Sequence, residues 1–375
     1  MNLVPKIPTL EGLDQFHGQV LHSQAFKDPS KFCGKDVLIV GLSNSAADTA
    51  TQLKGHARNI YVSHRQGALV LPRYSDGRPI DHSLTMRLMM IQGFLNEYFP
   101  LVAENAFNKF AKSLQDKNFN IRPEWNLSPA PSLKQSVPII SDELVSGLES
   151  GKIRSVPALR RVAGEMTVEL TDGTIIAIDC IIWCTGYKGD YGILDGDFDP
   201  TRNTSPAWSA APGSNEKPLP RLYQNLFSLQ EPLSLVFLGA AAFPSPAFQL
   251  YDLATMAVAQ VWRGNSSLPS QEEMERAVDT HHDWVCSLAQ RATVYPGIVK
   301  PGPWMTWVND AAGTGVNEML GYGIAGWTFW WREKGFCEKL MDGICSPHIY
   351  RLFDGKRKKW DGAKEAILKA NNAIC

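Results

Sequence analysis

Gly41, Ser43 and Ala46 stand at the three spacings of a phosphate-cradling turn, within the stretch KDVLIVGLSNSAADTATQLKG at residues 35–55. A G-x-G-x-x-G/A turn between a strand and a helix holds a dinucleotide pyrophosphate: the first glycine allows the sharp turn, and the helix N-terminus offers unpaired backbone N–H groups. Gly41 meets the first requirement, and Ala46 still lets helix and strand pack closely. Ser43 departs from the pattern and crowds the pyrophosphate, whereas Ser45 brings a hydroxyl into the first helical turn. The alternative is a tight strand–helix turn with no ligand.

The next strand chooses the dinucleotide. A free ribose 2′-hydroxyl is met by Asp or Glu about 20 residues on. The sequence offers Ser63-His64-Arg65 there, and no acid until Asp76. An arginine suits a 2′-phosphate, because its planar guanidinium pairs with two phosphate oxygens at once. Arg65 thus points to NADPH rather than FAD; a solvated surface arginine is the competing reading.

Elements must position these groups. Residues 37–40 are a short apolar run, as in a parallel strand buried on both faces. A helix over 45–53 follows, stopped by Gly55, and residues 59–63 (NIYVS) read as the second strand. Residues 81–114 have a helical pattern rich in Met, Leu and Phe, and 116–137 read as a polar connection. Alternation through Met166, Val168 and Leu170, an Asp172-Gly173 turn, then Ile176 and Ile178 predicts a hairpin. Residues 179–184 (DCIIWC) and 233–239 (LSLVFLG) read as buried strands, and 247–263 as a helix. The first 34 residues read as a loop-like leader, and the chain beyond 268 as mostly helical and rich in tryptophan. The Trp cluster from 304 to 331 reads as core or interface, and His281 and His282 as solvent-facing.

Composition narrows the classes. The 375 residues carry a net charge of −1, with 44% hydrophobic and 20% charged residues. Bulk charge therefore gives no reason to expect a nucleic acid or a membrane surface as partner. The stretch 233–262 is interrupted by Pro244, Pro246, Gln249 and Asp252, so it reads as core and not as a membrane span. The first 15 residues lack the apolar run of a signal peptide. Seven cysteines without a CxxC pair or metal-ligand spacing predict no metal, no disulfide framework and a reducing, cytoplasmic setting.

Several segments together resemble the flavin-containing monooxygenases. FHGQVLHSQAF (16–26) looks like that family's FxGxxxHxxx(Y/F) signature, GLSNSAADTA (41–50) like its NADPH motif with the SxxD step at Ser45 and Asp48, and CTGY (184–187) like its (A/C)TGY element. SHRQGALVLPR (63–73) with DGRPID (76–81) continues the likeness, which spans roughly residues 5–265. The tail YRLFDGKRKKW (350–360) resembles fungal members less specifically. The resemblance implies an NADPH site at Gly41, Ser43, Asn44, Ser45, Ala46, Asp48, Ser63, Arg65, Arg73, Thr185, Gly186 and Tyr187. It implies FAD contacts near Gln249, and it offers His22 as a possible catalytic or orienting residue. Plainer readings stand beside these: Asp48 as a carboxylate favoured by the helix dipole, Arg73 as a surface arginine, and His22 as a loop histidine with local bonds.

In that family NADPH reduces FAD, and the reduced flavin captures O2 as a peroxide that oxygenates nitrogen, sulfur or a carbonyl carbon of a small molecule. The family's first FAD-binding G-x-G-x-x-G precedes the FxGxxxH signature, yet only fifteen residues precede Phe16 here. The expected fold is therefore α/β: a doubly wound, Rossmann-like NADPH-binding domain and the incomplete C-terminal half of an FAD-binding domain. Residues 1–34 would be a linker with the signature, 35–187 the NADPH domain, and 188–375 the FAD/substrate part with a helical tail. A missing N-terminal FAD half would be the chain's partner. The alternatives are a non-catalytic NADP(H)-binding remnant, or another two-dinucleotide flavin oxidoreductase; the lack of CxxC argues against a disulfide reductase.

Overall fold

Strands buried on both faces need apolar side chains on both, and the runs at 37–39 and 180–182 supply them with every side chain fully buried. The computed structural model describes residues 2–134, 136–191, 194, 196–242, 247–291 and 293–372. It divides into two units: a sheet unit of residues 2–75 and 105–190, and a helical unit of residues 76–104 and 191–375.

The sheet unit is built on β1 (Asn2–Pro5), β2 (Gln19–His22), β3 (Asp36–Val40), β4 (Asn59–Ser63), β5 (Ile153–Val156), β6 (Leu159–Gly164), β7 (Thr167–Leu170), β8 (Ile175–Ala177), β9 (Cys180–Trp183) and β10 (Tyr187–Asp190). Five of them form a wholly parallel sheet in the order β2-β9-β3-β4-β5. On one face lie helices α1 (Asn44–Leu53) and α2 (Glu143–Glu149), packed on Val37, Ile39, Ile60, Val62, Ile153 and Ile182. A doubly wound sheet would have helices on the other face too. Here the antiparallel sheet β6-β7-β8 covers it, with Val162 and Val168 against Leu38, Ile181 and Trp183. The hairpin's alternation supplies an apolar face, which seals the sheet as well as a helix does. The leader is not featureless, because β2 joins the sheet beside β9 and β1 pairs antiparallel with β10.

In the helical unit α3 (Ala247–Trp262), α4 (Gln271–Ala289) and α5 (Pro301–Ala312) surround a core that includes Leu253, Ala257, Val278, Val308 and Leu340. Pro100 divides the expected 81–114 helix into Met86–Tyr98 and Pro100–Asn118; proline lacks the N–H that would continue the first helix. The expected strand at 233–239 does not form: the segment makes a single bridge, Phe227 to Val236, and Leu233 and Leu238 are exposed. Apolar sequence alone cannot make a strand whose backbone lacks a ladder partner among the described residues. Pro244 and Pro246 lie outside the described residues.

Candidate functional site

Because all five strands are parallel, their last residues share one edge. The register aligns His22, Trp183, Val40, Ser63 and Val156 in a row. Ligands of open α/β sheets bind beyond this carboxyl edge. Gly41 follows β3 with φ of 116°, and a Cβ there would stand 2.5 Å from the Cys184 carbonyl oxygen. Its N–H donates to the Ser63 carbonyl at 2.9 Å. Only glycine fits that conformation in that space.

The turn then opens α1. Ser43 is its N-cap, yet its side chain makes no capping hydrogen bond. Ser43 and Ser45 are exposed, and Ala46 is fully buried against the sheet. First-turn N–H groups have no intrahelical partner, so this N-terminus presents uncapped donors outward. Asn44 is used differently: its Nδ2 donates to Pro138 O at 3.1 Å and its Oδ1 accepts from Ile140 N at 2.8 Å. The amide clamps the 138–140 segment to the helix start. Ser63 is also inward, its hydroxyl donating to Pro157 O at 2.9 Å and accepting from Leu159 N at 2.8 Å.

The 64–73 loop is tied down at both ends. His64 is buried, with Nδ1 2.9 Å from Gln66 O and Nε2 2.7 Å from the Ser155 hydroxyl. Burial lowers its pKa, and contacts with the Gln66 and Trp125 carbonyls oppose that shift. A Cβ at Gly67 would meet Leu127 O at 2.2 Å, and Val70 N donates to the buried Gln115 Oε1 at 2.8 Å. Arg73 is exposed but occupied, with its backbone N–H on the Asp142 carboxylate at 3.2 Å and its guanidinium 3.5 Å from Asp48. That contact brings together two residues the sequence had placed at the site separately. Between these anchors Arg65 is exposed and makes no ion pair or side-chain hydrogen bond among the described residues.

At the other end of the row His22 is buried. Gln24 N donates to its Nδ1 at 3.2 Å, so Nε2 carries the proton and donates to Gly186 O at 3.0 Å. Burial lowers its pKa, and the Gly186 contact partly opposes this. Burial and the hydrogen bond donated by Gln24 N thus favour the neutral ring, with both nitrogens engaged by backbone. Gly186 O also accepts from Lys6 N at 2.9 Å, Thr185 Oγ1 donates to Lys6 O, and the Tyr187 ring meets His22 edge-on at 5.0 Å. His22 thus fixes the 185–187 turn.

Gln249 lies in the helical unit, buried on α3, and donates through Nε2 to Cys345 O while its Oε1 stands 3.5 Å from Cys345 Sγ. The histidines on α4 do not face solvent. His282 is buried with Nε2 3.2 Å from Pro220 O, and burial pushes His281 down to about 4 with help from His282 and Lys300. Helical periodicity turns one of two adjacent residues inward, and a polar flanking sequence conceals it. Trp304 is core, whereas Trp327 and Trp331 are exposed. No group of three His, Cys, Asp or Glu side chains among the described residues is placed to hold a metal. No local sequence pattern marks Ser155 or Asp142, whereas His64 carries one signal, a histidine closing an apolar strand.

A family model described as flavin-binding monooxygenase-like matches residues 2–375. Monooxygenase aurF of Gibberella zeae is 45% identical over 368 residues, 98% of this chain and 70% of that protein. Flavin-containing monooxygenase 3 of Rattus norvegicus is 28% identical over 376 residues, covering 98% of this chain and 64% of its own length. An open crystal structure of cyclohexanone monooxygenase shares the fold at a TM-score of 0.51 and 13% identity, over 83% of this chain and 70% of that one. Among the described residues no helix is long and apolar enough to cross a membrane.

Proposed function

The chain belongs to the flavin-binding monooxygenase-like family, and from that premise we propose that it serves FAD- and NADPH-dependent oxygenation, by O2, of a small organic molecule at nitrogen, sulfur or a carbonyl carbon. The nicotinamide supplies hydride and the flavin the redox chemistry with oxygen when they are bound. The chain's own residues do the holding. In this reading the sheet unit takes NADPH, and the helical unit contributes to flavin and substrate binding, with Gln249 bonded inward to Cys345 as part of its core.

The observation that carries the NADPH assignment is the uncapped N-terminus of α1 just after Gly41, with Arg65, unpaired among the described residues, on a strapped loop one strand away. Backbone donors and the helix dipole suit a pyrophosphate. Arg65, held ready by anchors on both sides, suits the 2′-phosphate. Asn44, Ser63 and His22 act through the backbone they hold, and Arg73 with Asp48 braces the Arg65 loop. We read the protein as cytoplasmic, on the odd and scattered cysteine count of its sequence.

The test is direct. Purified protein is assayed for bound FAD, for NADPH oxidation and for nucleotide affinity. Arg65→Ala should weaken NADPH by roughly 10- to 100-fold, about 1.5–3 kcal/mol for a lost charged hydrogen bond, with NADH almost unchanged. Equal loss of both nucleotides overturns the 2′-phosphate assignment. A chain that takes up no FAD and oxidises no NADPH is not a working monooxygenase by itself.

A further inference from the structure

The contacts of His64 contain one hydrogen bond more than its neutral form can supply. Three links run in series: Gln66 O to Nδ1 at 2.9 Å, Nε2 to Ser155 Oγ at 2.7 Å, and Ser155 Oγ to Trp125 O at 2.6 Å. Both ends are carbonyl oxygens, which only accept. Three links need three hydrogens. A neutral imidazole brings one and the Ser155 hydroxyl another, so one link stands without a proton. An imidazolium brings two and completes the chain. Burial works against that charge, so the free protein disfavours the form that completes the chain.

His64 immediately precedes Arg65, the residue read as the anion receptor, in the chain. We propose that a phosphate dianion held at Arg65 draws a proton onto His64, making the histidine a counter-charge that specifies the 2′-phosphate. The inference rests on the NADPH reading above and assigns this site's regulation by pH. An added negative charge favours the charged form of a nearby histidine, and here every acceptor for that form is already in place. The charged side chains on the surrounding segments are Arg65 on its own loop, Arg122 and Glu124 beside Trp125 (4.0 Å from each other), and Arg154 beside Ser155, over the Tyr61 ring. Among the described residues no carboxylate bonds the ring, so the ligand is the anion that tips the balance. By linkage, proton uptake on binding means that affinity falls as pH rises.

Calorimetry of adenosine 2′,5′-bisphosphate near pH 7, in buffers of different ionisation enthalpy, counts the protons taken up. The expected result is net proton uptake on binding in the intact protein, with much less for 5′-AMP and none from the ring in His64→Gln. Ser155→Ala, which removes the middle link and needs no third hydrogen, should also abolish uptake while leaving the fold intact. Ring nitrogen shifts of His64 by NMR should move from neutral to doubly protonated on adding the bisphosphate. Equal uptake in the intact protein and His64→Gln, or ring shifts that stay neutral, overturns the coupling. If the bisphosphate binds no tighter than 5′-AMP at any pH, the Arg65 reading falls and the coupling with it.

Discussion

The carboxyl edge of the parallel sheet and the surroundings of Gln249 treat their polar groups in opposite ways. At the edge, Asn44, Ser63 and His22 are bonded inward to backbone, and the α1 N-terminus and the exposed Arg65 are left without partners among the described residues. Around Gln249 the side-chain amide is engaged at both ends by Cys345, and the neighbouring Tyr350 is almost wholly buried. An anion site is recognised by donors that the fold holds still but does not satisfy. A core amide is recognised by the reverse. The resemblance named residues in both places, and only the geometry separates their roles.

The sharpest way to break this contrast is at the turn. Gly41→Ala adds a side chain at positive φ against the Cys184 carbonyl, and should cost about 4 kcal/mol when backbone strain and overpacking are combined. A thermal melt and a nucleotide titration should both register it; an unchanged Tm would mean that the turn is not fixed by that approach.

Acid probes the helical unit. His281 has a folded-state pKa of about 4 against an ordinary 6.5, so the folded chain binds fewer protons than the unfolded one. Its contribution is complete above about pH 6.5 and is lost as pH falls toward 4, a total of about 3 kcal/mol. Burial also lowers His22, His64 and His282, so they act in the same direction. Denaturant melts from pH 7.5 to 4.5 should show the slope, and His281→Gln should flatten it. A slope identical in the variant would remove His281 from the account.

Smaller effects separate holding from binding. Asn44→Ala leaves the Ile140 N–H and Pro138 carbonyl without their clamp and should cost about 1–2 kcal/mol, with the NADPH-to-NADH preference intact. Arg73→Ala breaks an exposed pair and should cost only about 0.5 kcal/mol, again without changing that preference. A collapse of preference in Arg73→Ala would make Arg73, and not Arg65 alone, the phosphate receptor.

Much of the sheet unit was legible because its signals are local. Four-residue apolar runs, an Asp-Gly turn and a glycine before a helix each name their element within a few residues. The reading failed where the outcome depends on distant partners. Residues 233–239 have a strand's composition but find one bridge among the described residues, and the leader residues 19–22 become a strand because β9 reaches them from 161 positions away. Site residues followed the same division. The turn residues Gly41 and Ala46 could be read from spacing, because a tight strand–helix turn dictates their types, and the proposal for Arg65 rests on the same local pattern. The inward bonding of Asn44 and Ser63, the Asp48–Arg73 pair and the His64 chain could not, since each rests on a contact with a segment that no local pattern announces.

The sheet order also sets a timetable. β9 lies between β2 and β3 and pairs with both, yet it is the last of the five strands in the sequence. During synthesis β3, β4 and β5 can assemble early, while the inner edge of β3 stays open and apolar until residue 183 has been made. Closing that edge joins segments more than a hundred residues apart, a contact pattern associated with slow folding and with aggregation of the waiting intermediate. A ribosome-bound chain ending before β9 should therefore be sticky and protease-sensitive, and one that extends past β10 should become resistant in a single step.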